Sequence, residues 1–189
     1  SRASTATRVN KSGFLETVGA DVPRLDYSDG GCPVLLTEPQ STNLIKNSEY
    51  LTDFSGAATN TFDATIVNPE GALGVARVSN LLGAVGDVFQ DSSVITPSET
   101  YSGSLYYKGE GVNIGKTITI YVKRTLGSIS QSQLVRLTLT NTWQRVEVTH
   151  TFLADNTTAA IIIKNDSDTA DEALFWGAQF ENLPYATSY

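Results

Sequence analysis

The sequence predicts an all-β fold, a sandwich or a barrel, and three observations carry that reading. Thr, Ser, Val, Ile and Tyr are abundant, and these residues suit a pleated, half-buried backbone. Short apolar runs recur with Gly, Pro, Asp and Ser between them, the spacing of strands and turns. Where a run is long enough to test, its side chains alternate at period two, and no segment carries a helical stripe.

From residue 43 the candidate strands follow in order. They are residues 75–78, 87–95, 100–108, 117–124, 134–140, 143–152, 159–164 and 173–181. Thr96-Pro97-Ser98-Glu99 closes the second and Gly109-Glu110-Gly111 the third. In 100–108, Tyr101, Gly103, Leu105 and Tyr107 oppose Ser102, Ser104, Tyr106 and Lys108. In 117–123, Ile118, Ile120 and Val122 oppose Thr117, Thr119, Tyr121 and Lys123. The apolar set of each belongs to a core.

Residues 1–42 have another character and are set apart from 43–189. Residues 6–9 and 14–18 flank Asn10-Lys11-Ser12-Gly13, a hairpin pattern with its loop ending in glycine. Pro23, an Asp29-Gly30-Gly31 turn, Pro33 and a short strand over 34–37 follow, stopped by Glu38-Pro39. This piece is too small to bury its own core. It is expected to lean on the main domain or on a neighbouring subunit.

Composition excludes several functions. The 189 residues carry a formal net charge of −7. Nucleic acid is a poor partner for such a chain, because counterion release needs clustered Lys and Arg. An anionic membrane surface is disfavoured for the same reason. No apolar run approaches the roughly 18 residues of a membrane helix, and no signal peptide is visible. The chain begins at Ser1, which reads as a processed piece of a longer protein. The single cysteine, Cys32, cannot form an internal disulfide and reads as a small buried residue.

Catalysis finds little support. His150 is the one imidazole, placed in a strand with no nucleophile motif beside it. No pair of acids sits in a glycosidase motif, and Gly109-Glu110-Gly111 is a turn rather than a phosphate loop. The reading is therefore non-enzymatic, and no cofactor is required. The acidic run 165–172 could offer oxygen ligands to a structural calcium ion, though without EF-hand spacing.

Several strings resemble the carbohydrate-binding modules of families 4, 9 and 22. Asn43-Leu44-Ile45-Lys46-Asn47-Ser48-Glu49 is similar to their opening. Residues 90–101 resemble the passage that ends in Pro and Tyr, and Ser104-Leu105-Tyr106-Tyr107-Lys108 the strand after it. Thr142-Trp143-Gln144-Arg145-Val146 with Thr151-Phe152 resembles a further signature. Phe175-Trp176-Gly177-Ala178-Gln179-Phe180-Glu181 resembles the closing strand as phage virion proteins write it. Residues 2–7, 23–27, 36–44 and 185–189 resemble strings around such modules in tail, fibre and head-decoration proteins. Tyr106 stands where the family carries Trp, and an Asp often near a calcium site is absent from the closing strand.

The resemblance implies a jelly-roll-like antiparallel β-sandwich with an N-terminal β-hairpin appendage. It implies glycan or polysaccharide recognition on a phage particle surface or outside the cell. Other virion subunits would be partners, in a homo-oligomer such as a trimer. The family binds on a concave sheet face. If the two strands share a sheet, Ser104, Tyr106 and Lys108 would form one patch with Thr119, Tyr121 and Lys123. Trp143 and Trp176 read as packing residues, and Gln179 as a partner for backbone groups. Two rival readings are a purely structural assembly module and an accessory module of a polysaccharide-degrading enzyme.

Overall fold

The computed structural model describes residues 6–28, 30–39, 41–51, 54–55, 58–81, 88–90, 93–123, 132–164 and 169–189. In chain order its strands are β1 (Ala6–Val9), β2 (Leu15–Val18), β3 (Leu25–Asp26), β4 (Val34–Leu35) and β5 (Phe54–Ser55). Next come β6 (Thr59–Val67), β7 (Leu73–Ser79), β8 (Val88–Gln90), β9 (Ser93–Val94) and β10 (Thr100–Lys108). The last are β11 (Thr117–Lys123), β12 (Ser132–Thr138), β13 (Gln144–Thr151), β14 (Thr158–Lys164) and β15 (Glu172–Glu181).

Two sheets make the sandwich. One runs β13-β10-β15-β7-β6; the other runs β12-β11-β14-β8-β5, with β9 also on β14. The described ladders are antiparallel. Both alternations read from the sequence hold. Tyr101, Leu105 and Tyr107 enter the core from β10, and Ile118, Ile120 and Val122 meet them from β11. At Gly103 the sheets approach closely: a Cβ there would lie 2.8 Å from Val122 Cγ2. A side chain at that point would push the layers apart.

β15 contains an irregularity that shapes the outer face. Ser104 pairs with Gln179 and Tyr106 with Trp176, so Gly177 and Ala178 together oppose Leu105. Gly177 has φ +65°, a left-handed conformation that suits glycine. The bulge inverts the parity of the strand. Phe175, Ala178 and Phe180 therefore point into the core, while Trp176 joins a second apolar cluster with Leu15, Val75 and Leu174.

The hairpin forms as expected, Ala6 pairing with Val18 and Val9 with Leu15. Of its two expected supports, the sandwich supplies one. Leu15 is buried in the second cluster, and its N–H donates to the Pro69 carbonyl at 3.0 Å. Arg24 is 7% exposed and bonds Glu38 at 2.8 Å and the Ser188 hydroxyl at 2.5 Å.

Three local expectations change. β6 was not foreseen; it lies at a sheet edge, and none of its side chains is fully buried. Cys32 is exposed rather than buried, because the turn between β3 and β4 stands clear of the sandwich. The run 87–95 divides into β8 and β9.

Candidate functional site

A cleft of about 360 Å³ opens where the hairpin, the β6–β7 turn and the outer face of β10 meet. Val9, Gly13, Phe14, Leu15, Val67, Asn68, Pro69, Tyr106, Lys108 and Trp143 line it. Each wall is set by local chemistry. The Asn10 side-chain carbonyl accepts from the N–H groups of Ser12 and Phe14, at 2.9 and 3.1 Å, and closes the hairpin loop. Phe14 is thereby left 43% exposed at the rim.

Asn68 does the same for the β6–β7 turn. Its Oδ1 accepts from Glu70 and Ala72, at 3.0 and 3.1 Å, and its Nδ2 donates to the Gly74 carbonyl at 3.3 Å. The turn in turn holds Trp143, whose Nε1–H donates to the Val67 carbonyl at 2.8 Å. The Lys108 ammonium lies 6.0 Å from the Trp143 ring centroid, within cation–π range.

Tyr106 forms the floor. Its ring tilts against Trp176 at 5.8 Å, with the Arg145 guanidinium 5.7 Å from its centroid. Burial raises the phenol above its ordinary pKa, and Arg145 offsets part of that rise. Arg145 is held by neutral acceptors: Ser104 Oγ at 2.9 Å, Gln179 Oε1 at 2.6 Å and the Thr187 carbonyl at 2.5 Å. Gln179 also donates to the Ser188 carbonyl, a backbone partner as expected.

A wider cleft of about 900 Å³ runs along the hairpin and the C-terminal residues. Its polar groups bind one another. Glu38 accepts from the Ser188 N–H and hydroxyl, at 2.9 and 2.8 Å. Glu181 accepts from the Thr187 N–H and hydroxyl, at 2.9 and 2.7 Å. This is a seam that ties residues near both ends of the chain.

The expected single patch is not formed. Ser104, Tyr106 and Lys108 lie on β10, and Thr119, Tyr121 and Lys123 on β11, which belong to different sheets. The 3-10 turn Gly111–Asn113 intervenes as the chain crosses from one sheet to the other, so their outer faces point in opposite directions. Ser104 and Thr119 are buried, at 2% and 1% exposure. Tyr121 packs with Ala160 and Ile162 on the outside of its own sheet. The Lys123 side chain lies outside the described residues; its backbone pairs with Ser132 and Ala160.

Tyr106 and Lys108 are brought together, and Phe14 and Trp143 join them. Phe14 was read as a hairpin residue and Trp143 as packing. Trp176 does pack, at 0% exposure. Among the described residues no group of three His, Cys, Asp or Glu side chains converges as a metal would need. Residues 165–168 of the acidic run lie outside the described residues. The His150 ring meets Phe152 at 4.7 Å, and burial pushes its pKa down. Among the described residues no helix is long and apolar enough to cross a membrane.

No family model matches this chain, and no curated relative matches it. Solved structures do. A CBM22-1 xylan-binding domain from Paenibacillus barcinonensis Xyn10C aligns with TM-score 0.61 and 13% identity, over 80% of this chain and 100% of that one. The enzymatically active domain of bacteriophage CBA120 tailspike protein 4 aligns with TM-score 0.56 and 12% identity. That match covers 75% of this chain and 21% of the tailspike chain. TmCBM61, solved with β-1,4-galactotriose, aligns with TM-score 0.53 and 15% identity, over 76% and 100%. At these identities the likeness is one of fold.

Proposed function

We propose that this chain is a non-catalytic carbohydrate-binding module that takes a glycan in the cleft of Phe14, Tyr106, Lys108 and Trp143. One observation carries the reading. Three aromatic side chains from separate elements converge with a cation on one cleft of about 360 Å³. That volume falls within the roughly 300–1,000 Å³ of small-molecule sites. A pyranose presents C–H faces that pack on aromatic rings and hydroxyls that need polar partners. The sandwich's likeness to modules solved as xylan-binding and galactotriose-binding domains supports the same reading.

The setting we propose is the surface of a phage particle, for adsorption to a bacterial or mucus polysaccharide. The strings at residues 2–7, 23–27, 36–44 and 185–189 support it. Single sites would be weak, and many copies on one particle would supply avidity. A second reading, an assembly module in a homo-oligomer, has its own support. Val22, Leu25, Val34 and Leu35 are 39% to 58% exposed around β3 and β4, a cluster that another subunit could cover.

A glycan array with the wild type, Phe14→Ala and Trp143→Ala tests the first reading. Binding by the wild type is expected, with loss in both variants at unchanged circular dichroism. Silence of the wild type on every glycan, with a trimer in sedimentation, would favour the second.

A further inference from the structure

We infer that the glycan taken in this cleft is acidic, with a carboxylate facing the Lys108 ammonium; the inference rests on the glycan-binding reading above. It starts from a local imbalance of charge. The chain holds 20 Asp and Glu against 13 Lys and Arg. Yet the cleft lining contains one charged side chain, Lys108.

Among the described residues Lys108 has no carboxylate partner, whereas Arg8, Arg24 and Arg77 each have at least one at 2.6 to 2.8 Å. Behind the floor, Arg145 is bound by a hydroxyl, an amide oxygen and a carbonyl. None of these neutralises it. Arg145 thus flanks the Tyr106 ring and Lys108 the Trp143 ring, and neither is in an ion pair among the described residues. The acids whose charge reaches Tyr106 are Asp26 and Glu70, and neither lines the cleft. The Asp26 carboxylate already accepts from the Val9 N–H at 2.7 Å and from Ser28.

Geometry makes Lys108 a ready donor. Its ammonium is placed by the Trp143 face, so less side-chain freedom is lost when a ligand arrives. A neutral sugar would strip water from that ammonium and return a hydrogen bond to an uncharged hydroxyl. A uronate would add the attraction between opposite charges to that bond. Rings on apolar faces and a carboxylate on a cation are the two chemistries the cleft offers. A polymer of hexuronic acids presents both in each residue.

The test is calorimetric titration of the whole chain with oligosaccharides of galacturonate, mannuronate, guluronate and glucuronate. Each is paired with its carboxyl-reduced neutral twin. We expect the best uronate to bind at least about tenfold more tightly than its twin, given the usual worth of a charged hydrogen bond. Added salt should narrow the gap. Lys108→Gln should close it by weakening the acid far more than the twin, and Lys108→Arg should keep it. Equal binding of acid and twin would overturn the inference while glycan binding stands, as would a gap that survives Lys108→Gln. Silence toward all of these and toward a neutral glycan array would overturn both.

Discussion

Trp176 and Tyr189 hold their rings 4.5 Å apart, inclined at 58°, on the outer face of the five-stranded sheet. The Tyr189 hydroxyl also meets Ser48 Oγ at 2.8 Å, and burial pushes the phenol up to about 12. Tyr189→Ala removes one side of the Trp176 pocket. We expect a loss of about 2 kcal/mol in urea unfolding, below the roughly 3–5 of a fully buried aromatic. Tryptophan emission should shift to the red as water reaches Trp176.

Gly177 is tested by alanine. A Cβ there would stand 3.3 Å from both the Tyr106 and Tyr189 rings, on a residue whose φ is +65°. Gly177→Ala should cost at least about 1 kcal/mol from backbone strain alone. It should also weaken glycan binding, since it displaces the ring that floors the cleft. A stable variant with unaltered binding would contradict the parity argument.

The pair of buried Arg24 and half-buried Glu38 predicts an asymmetry. Arg24→Ala leaves the Glu38 carboxylate without its charge partner. The expected cost is about 2 kcal/mol in denaturant unfolding, below that of a fully buried pair. Arg24→Met with Glu38→Leu should recover most of it, because no charge then remains to be desolvated. Equal losses in the single and double variants would show that packing dominates over charge.

Acid should act on the sheet edge through Asp63. Its carboxyl is lowered from 3.8 to about 2, first by the Thr65 hydroxyl, then by the Thr65 N–H and by Arg77. A folded pKa below the unfolded one adds stability that is full above the unfolded value and is lost as pH falls through the folded value. The unfolding free energy should therefore decline between about pH 4 and pH 2. Asp63→Asn should flatten that part of the profile. Arg77 also binds Glu110 at 2.7 Å and pairs with Glu172, so the variant should keep its fold at neutral pH.

Much of the architecture was legible in the sequence because β10 and β11 each send one apolar set into the shared core. In β10 and β11 the period-two sorting predicted which side chains enter the core, and Leu105 and Val122 are both at 0% exposure. The hairpin was legible from Asn10 and Gly13. β6 was not, because it sends no fully buried set of side chains into the core. The site was legible only in part. Tyr106 and Lys108 could be assigned to an outer face, but alternation along a strand says nothing about which sheet the next strand joins. Tyr121 was therefore grouped with Tyr106 across a crossing that period alone cannot reveal. Phe14 reaches Trp143 only through the tertiary docking of Leu15 on Pro69.

That docking has a kinetic corollary. Arg24 and Ser188 meet across 164 positions of sequence, and closing so large a loop is entropically slow. The pocket's walls come from the hairpin and from Val67, Tyr106 and Trp143 far along the chain, so saccharide capacity should emerge in the last refolding phase. A bound sugar would then act as a clamp between hairpin and sandwich, raising the melting temperature with ligand concentration.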